Sequence, residues 1–323
     1  GFVGGISAED LETGSKTELR GEVTIDASGF SAAIRRKLPT EIGFDQAIAK
    51  EDHVICYREI RELRDEMEEP DFIEMYLDLD VAPGGYCWIF PERGKKVNVG
   101  LGVAAVGNFP SPKDQLYKYV LSRPLFAKSV NVHGGGGYDP TRRPLDSFVG
   151  NGIVVIGDAA CQVNPIDGGG MGPSMVGGKI SGEVISEALE NGKADRESLW
   201  PINVRYMRTY GFRHAGLDVF RIFLQGLTNE DLNYGMGYRL MREEDVLKAG
   251  LGGDIRLNVT DATQRIFRGL GRISLLRRLY NTAKMVERAK RLYREYPESS
   301  SGLPEWKVKV QQLFKGAKRH SQR

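Results

Sequence analysis

Apolar and polar positions change rhythm twice along this chain of 323 residues. Near the start, Val23, Ile25 and Ala27 alternate with Thr24 and Asp26, and Gly14-Ser15 and Gly21 punctuate the stretch. Residues 1–27 therefore read as a hairpin followed by a strand. The segment Asp26-Ala27-Ser28-Gly29 then turns into a short helix predicted over 32–38, which Pro39 ends. From 52 to 105 the period is two: residues 54–57, 72–77, 86–90 and 96–103 predict four short strands. Pro83-Gly84-Gly85 and Pro91-Glu92-Arg93-Gly94 supply turns, and together they predict an antiparallel sheet. Ser111-Pro112 opens a helix predicted over 111–122.

The second change comes near 150. Residues 152–158 form a continuous apolar run, the pattern of a strand buried on both faces of a parallel sheet. It leads through a glycine-rich turn into a helix predicted at about 172–190, with Val176, Ile180, Val184 and Ala188 on one face and a stop at Asn191-Gly192. Beyond 195 the pattern is helical, broken at Gly226, at 250–253 and at 297–304.

Composition narrows the class. A hydrophobic share of 41% is far above that of a disordered chain, and the length suits two domains or one domain with appendages. Three cysteines in no CxxC pair and four histidines argue against a zinc site or a disulfide framework and point to a reducing, cytoplasmic setting, with no metal expected. No apolar run approaches the ~18–20 residues that cross a bilayer as a helix. The formal net charge of +2 conceals an asymmetry: residues 255–323 hold 17 Lys and Arg against 5 Asp and Glu, and the preceding residues are acidic overall. A basic end on an acidic body is attracted to anionic surfaces.

The strongest chemical signal lies in residues 152–172. Asp158, at the carboxyl end of a strand, can accept hydrogen bonds from the hydroxyls of a sugar or polyol. Gly168, Gly169, Gly170 and Gly172 let backbone approach a flat ring closely, and the N–H groups of the helix that follows carry partial positive charge.

Gly157-Asp158-Ala159-Ala160, followed by Pro165 and the run from Gly168 through Met171 to Gly172, resembles the second flavin motif of the aromatic-hydroxylase-type flavoproteins. Upstream, Asp26 to Ser31 with Arg35 resembles that superfamily's ADGxxSxxR segment, although Ser28 replaces the usual second acid. The pattern Tyr86-Cys87-Trp88-Ile89-Phe90-Pro91, then Gly100-Leu101-Gly102, is similar to the YxWxFP…GxG pattern of the geranylgeranyl reductase family. By alternation Tyr86, Trp88 and Phe90 share one face of a strand, and Gly100 and Gly102 share a face of the next. Three aromatics beside two missing side chains predict a wide apolar slot.

This resemblance implies an α/β fold with a helical region: a partial, Rossmann-like FAD-binding domain over 1–45 and 146–192, an antiparallel-sheet prenyl domain over 46–145, and a helical, basic C-terminal region over 193–323. It implies FAD held by Gly157, Asp158, Ala159, Pro165, Gly168, Gly169, Gly170, Met171, Gly172 and Arg35. The prenyl slot would be lined by Tyr86, Trp88, Phe90, Pro91, Gly100 and Gly102. The family's first βαβ unit carries GxGxxG for the ADP half of FAD; that motif is absent from this sequence, so the expectation is a unit of roughly a hundred residues before Gly1.

The activity implied is reduction of geranylgeranyl C=C bonds in membrane lipids. The electron donor would be NADPH, a deazaflavin or ferredoxin, the protein would sit at the membrane periphery, and no nucleic acid would be involved. A flavin monooxygenase or quinone-linked dehydrogenase of the same fold, or a non-catalytic prenyl-lipid-binding remnant, are the alternatives.

The remaining residues divide simply. His53, His133, His214 and His320 are scattered and read as structural or exposed; Cys56 and Cys87 read as small hydrophobes on strands, and Cys161 follows the Gly-Asp motif. Arg142-Arg143 could meet a phosphate or a lipid headgroup, but reads first as a solvated pair. Arg265, Arg268, Arg272, Arg277, Arg278, Lys284, Arg288 and Arg291 recur among Ile266, Leu270, Ile273, Leu276, Leu279 and Val286. That pattern fits a helix lying on a membrane surface, and equally one packed on its own domain with a solvated basic face.

Overall fold

A computed structural model describes residues 1–44, 47–240 and 270–321. Strands β1 (Gly5–Glu9) and β2 (Lys16–Arg20) form the predicted antiparallel hairpin. β3 (Thr24–Asp26) follows, but the helix predicted over 32–38 does not form. In its place stand two single 3-10 turns, Gly29–Ser31 and Arg35–Lys37, separated by Ala32 at φ 44°, a left-handed conformation that no continuous helix contains. The Asp26 carboxylate accepts from the amides of Arg35 (2.7 Å) and Ser28 (3.1 Å), so the loop spends these donors on a side chain rather than on a helical ladder.

A five-stranded antiparallel sheet comes next, built from β4 (Val54–Glu62), β5 (Glu74–Tyr76), β6 (Cys87–Pro91), β7 (Lys96–Ala104) and β8 (Val130–Asp139) in the order β5-β6-β7-β4-β8. Four of these match the predicted strands; β8 is an addition, its period erased by glycines 134–137. One face is a closed core of Cys87, Ile89, Val97, Val99, Leu101 and Val103, covered by Leu116, Val120 and Phe126. Those covering residues follow the short helix α1 (Pro112–Gln115), which Ser111 caps through the Asp114 amide (3.3 Å). Tyr86, Trp88 and Phe90 take the opposite face.

The predicted buried strand is β10 (Ile153–Val155), after the short β9 (Val149–Gly150). It pairs parallel with β3, Val154 opposite Ile25, and antiparallel with β9. The chain then enters α2 (Met171–Glu190), which ends where predicted: Gly192 lies at φ 63° and the Lys193 amide reaches back to the Ala188 carbonyl (3.0 Å).

Helices α3 (Arg196–Leu199), α4 (Pro201–Tyr206), α5 (Phe212–Gln225), α6 (Asn229–Gly237), α7 (Ile273–Arg294) and α8 (Leu303–Ser321) complete the described chain. Trp200, Tyr206, Tyr293 and Trp306 from this helical region share one core cluster with Ile153, Val154, Ala159 and Val184, so the helices are packed directly beneath β10 and α2.

Arg142 and Arg143 are not a solvated pair. Arg142 is 8% exposed, and the Arg143 guanidinium pairs with Asp146 and donates to the Tyr293 hydroxyl (3.1 Å), which ties the loop after β8 to α7.

In the basic segment, Arg265, Ile266 and Arg268 lie outside the described residues. Within α7, Ile273, Arg277, Tyr280, Lys284, Arg288 and Arg291 are exposed at spacings of three and four, whereas Val286 is buried. Arg272 and Arg278 turn inward: Arg272 pairs with Asp231 (2.7 Å) and Glu230 (2.8 Å), and Arg278 donates to the Gly226 carbonyl (2.7 Å). Among the described residues no helix is long and apolar enough to cross a membrane.

Candidate active site

The Gly-Asp segment forms a tight turn rather than an extension of β10. Gly157, at φ 67°, exchanges hydrogen bonds with Gln162: its amide donates to Oε1 (2.8 Å) and its carbonyl accepts from the Gln162 amide (3.0 Å). The turn closes on Cys161 at φ 55°, whose amide donates to the Asp158 carbonyl (2.9 Å). This leaves the Asp158 carboxyl half-buried with no hydrogen bond from the described residues, and burial pushes its pKa up.

The following loop satisfies itself. The Asn164 side chain accepts from the Ile166 amide (2.9 Å), the Gly168 amide donates to the Asn164 carbonyl (3.0 Å), and Asp167 accepts from the Gly169 amide (2.8 Å). Helix α2 then begins with neither a capping side chain nor an acid in its first turn, and Met171 at its head is 86% exposed.

The glycines have a steric purpose here. A Cβ on Gly170 would stand 3.2 Å from Asp158 Oδ1, and one on Gly168, itself at φ 75°, would stand 3.3 Å from Asp139 Oδ2. Without them both carboxyls remain approachable. An unbonded carboxyl, a bare turn and an uncapped helix head fit the polyol chain and ring of a flavin. Pro165 is buried at the base of this loop, and Gly172 lies open on the first turn of α2. Ala159 and Arg35 are placed differently: both are buried, Ala159 completely.

The aromatic row forms as predicted. Ring centroids of Tyr86 and Trp88 lie 5.7 Å apart and those of Trp88 and Phe90 6.1 Å apart, with Trp88 Nε1 donating to Asn98 Oδ1 (3.1 Å). Pro91 ends the strand, half-buried. Gly100 and Gly102 do not leave the slot that alternation predicted beside the aromatics. A Cβ on Gly100 would meet Trp88 at 2.5 Å and Arg58 at 2.7 Å, and one on Gly102 would meet Val54 at 2.6 Å and Cys56 at 3.1 Å. Their space is filled by neighbours that could not otherwise pack so closely.

The vacant positions on this sheet are Gly135 and Gly137 on β8, where a Cβ would meet nothing within 4 Å among the described residues. Register places Gly135 across from Arg58, and Arg58 across from Gly100, which faces Trp88. The bare lane therefore lies on the aromatic face of the sheet. At the opposite edge of that face, Met75 stands across from Trp88, half-exposed.

Sheet and turn meet at two points. Tyr86 donates its hydroxyl to the Asp167 carbonyl (2.7 Å), and Asp139, the last residue of β8, lies against Gly168. Cys56 Sγ donates to Asp139 Oδ2 (3.4 Å). Burial lifts the Asp139 pKa, the Cys56 hydrogen bond pulls it partly back, and the Asp158 charge adds to the rise. Burial and then Asp139 push the Cys56 thiol up, and burial and then Asp167 push the Tyr86 phenol up.

Asp139 and the lane of Gly135 and Gly137 were missed in the sequence. The available signals were an Asp-Pro at the end of a region of period two and a glycine run too regular for a loop. Cys161 is fully buried, its thiol pushed up to about 11 by burial, which makes it an inert packing group. His214 is fully buried in the helical core, burial lowering its pKa to about 3, while His133 and His320 are exposed. His53 packs edge-on against Phe30. Among the described residues no group of His, Cys, Asp and Glu is arranged to hold a metal ion.

A family profile described as the geranylgeranyl reductase catalytic domain matches residues 52–138, the span from the approach to β4 to the end of β8. A digeranylgeranylglycerophospholipid reductase of Sulfolobus acidocaldarius is 38% identical across 97% of this chain and 70% of its own length. Proteins of the same name from Methanothrix thermoacetophila and Methanosarcina acetivorans are 32% and 31% identical, over 63% and 67% of their lengths. Among solved structures, a geranylgeranyl bacteriochlorophyll reductase-like protein from Thermoplasma acidophilum superposes with a TM-score of 0.66 at 20% identity, covering 87% of this chain and 66% of that one. A myxobacterial FAD-dependent halogenase shares the fold with a TM-score of 0.53 at 16% identity, covering 84% and 60%. With the aromatic row, the Gly-Asp turn and these relatives in agreement, the chain belongs to the geranylgeranyl reductase family of flavin-dependent oxidoreductases.

Proposed function

We propose that this protein reduces C=C bonds in the geranylgeranyl chains of membrane lipids, with FAD as its cofactor. The observation that carries the reading is continuity: one face of the sheet bears Tyr86, Trp88 and Phe90 and ends, through the hydrogen bond from Tyr86 to Asp167, at the loop that follows the Asp158 turn. An isoprenoid chain offers almost nothing to hydrogen-bond, so an aromatic floor suits it. Asp158 would receive the polyol hydroxyls, Gly157, Gly168, Gly169, Gly170 and Gly172 would let backbone approach the ring, and Pro165 and Met171 would shape the turn around it. FAD, when bound in its reduced form, supplies hydride to an alkene carbon.

In this reading residues 1–45 and 146–192 serve the cofactor, residues 46–145 serve the prenyl chain, and the helical region from 193 supports both. The exposed face of α7, with Arg277, Lys284, Arg288 and Arg291 around Ile273 and Tyr280, would rest on an anionic membrane surface where the substrate resides. The electron donor would be NADPH, a deazaflavin or ferredoxin.

The test is an absorption spectrum of the purified protein, followed by mass spectrometry of a digeranylgeranyl lipid incubated with the protein and a chemical reductant. Flavin bands, and a lipid gaining two hydrogens per bond reduced, are the expected result. Reductant consumed with oxygen uptake and an unchanged lipid would overturn the reading in favour of oxygenase chemistry.

A further inference from the structure

Saturating an isolated alkene requires a proton as well as a hydride, and the reading above assigns no residue to supply it. We propose that Asp139 is the proton donor of the reduction, delivering its carboxyl proton to the alkene carbon that does not receive hydride. This rests on the reductase reading above and assigns to it a residue that the sequence patterns leave out.

Three features of position support it. Asp139 stands where the aromatic face of the sheet meets the cofactor turn, with Oδ2 close enough to Gly168 that any side chain there would crowd it. The lane leading along β8 to Asp139 is open, because Gly137 and Gly135 present no side chain and no other described residue occupies that space. A prenyl chain crossing from Trp88 over this lane would come to lie beside the carboxyl.

The third feature is its partners. Among the described residues Asp139 forms no ion pair, and its one side-chain donor is the Cys56 thiol at 3.4 Å. The titratable groups facing it are Cys56 from β4, Tyr86 from β6 and Asp158 from the turn, none of them cationic. Burial, together with the nearby Asp158 charge, favours the protonated form of Asp139, which is the form a proton donor must hold.

The step balances as follows. The π bond breaks; one carbon forms a C–H bond with the hydride and its electron pair, supplied by the reduced flavin; the other forms a C–H bond with the Asp139 proton. Asp139 is left as the carboxylate and regains a proton from solvent.

The experiment compares the Asp139→Asn and Asp139→Glu holoenzymes with the unsubstituted one, measuring bound flavin per chain, lipid reduction against pH, and Asp side-chain carboxyl titration by 13C NMR. Asp139→Asn is expected to retain its flavin and lose roughly a hundredfold in reduction rate. The alkaline limb of the pH profile should flatten, and one carboxyl titrating above the others should vanish from the spectra. Asp139→Glu should recover part of the rate.

Undiminished reduction by Asp139→Asn, loss of flavin from that variant, or a carboxyl at 139 titrating in the ordinary aspartate range would each overturn the assignment. If the unsubstituted holoenzyme reduces no lipid, it is the reductase reading that fails; an active enzyme indifferent to Asp139→Asn removes only this proposal.

Discussion

Two groups of buried or half-buried carboxylates in this molecule have opposite surroundings. Around α5 and the loop after β8, Asp52, Asp146 and Asp218 face arginines: Arg221 bonds both Asp218 (2.7 Å) and Asp52 (3.1 Å), and Arg143 pairs with Asp146. At the junction of sheet and turn, Asp139, Asp158 and Asp167 have no ion pair among the described residues. Burial raises the pKa of Asp146, but Arg143, Arg142 and Lys307 outweigh it and hold the group below its ordinary range; for Asp52, Arg142, Arg221 and Lys318 do the same. Burial outweighs the hydrogen bonds that Asp139 and Asp167 accept and is unopposed at Asp158, and all three members are raised. The first set binds elements together. The second has no cation among the described residues and only neutral donors on Asp139 and Asp167, and carboxylates whose surroundings drive their pKa values apart are the pattern of candidate chemical sites.

The largest effect should come from breaking the first set. Asp146→Asn takes from the Arg143 side chain its paired carboxylate and leaves Asp218 as its remaining counter-charge; removing one partner of a buried pair is expected to destabilise by about 3–5 kcal/mol. Chemical denaturation at neutral pH checks this. Because the folded pKa of Asp146 is depressed, its contribution is present above the ordinary aspartate range near ~3.9 and disappears as pH falls through the depressed value, so the variant and the parent should converge in acid.

Asp139→Asn should behave in the opposite sense. A raised folded pKa means that the native state holds its proton longer than the unfolded chain does. The stabilisation is complete below the unfolded value and is lost as pH rises through the folded one. Removing the ionisable group should therefore give a small gain in stability that appears only above the raised pKa. Denaturation midpoints measured from acid to neutral pH would show the two aspartate variants diverging from the parent in opposite directions. A loss of stability at neutral pH in both would erase the contrast.

How much of this was legible follows from the same physics. The period-two strands and the run at 152–158 announced themselves because one or both of their faces are apolar, and the turn at Gly157–Asp158 stood out as a candidate because glycines and an acid beside a buried strand have few structural excuses. Arg143 looked solvated because nothing in the local sequence names Asp146 and Tyr293 as its partners; those contacts arise from the way α7 packs. The expected helix at 32–38 failed because Asp26, nine residues before Arg35, claims its amide. β8 was invisible because glycine has no hydropathy to alternate, and with β8 went Asp139 and the open lane. Gly100 and Gly102 were read as an absence, whereas register shows Trp88, Arg58, Val54 and Cys56 occupying that space.

That last correction gives the most discriminating prediction. Gly100→Val places a branched side chain where a Cβ already meets Trp88 at 2.5 Å, so the variant should lose about 1–3 kcal/mol through overpacking. Gly137→Val enters open space at a strand position with no positive φ, and a β-branched residue there should leave stability nearly unchanged or slightly improved. If the lane at Gly135 and Gly137 is the path of the prenyl chain, Gly137→Val should still impair lipid binding, raising the KM for the lipid about tenfold while thermal stability holds. A Gly137→Val protein that binds lipid normally would return the path to the aromatic row alone, since the vacancy it fills would then lie off the substrate's route.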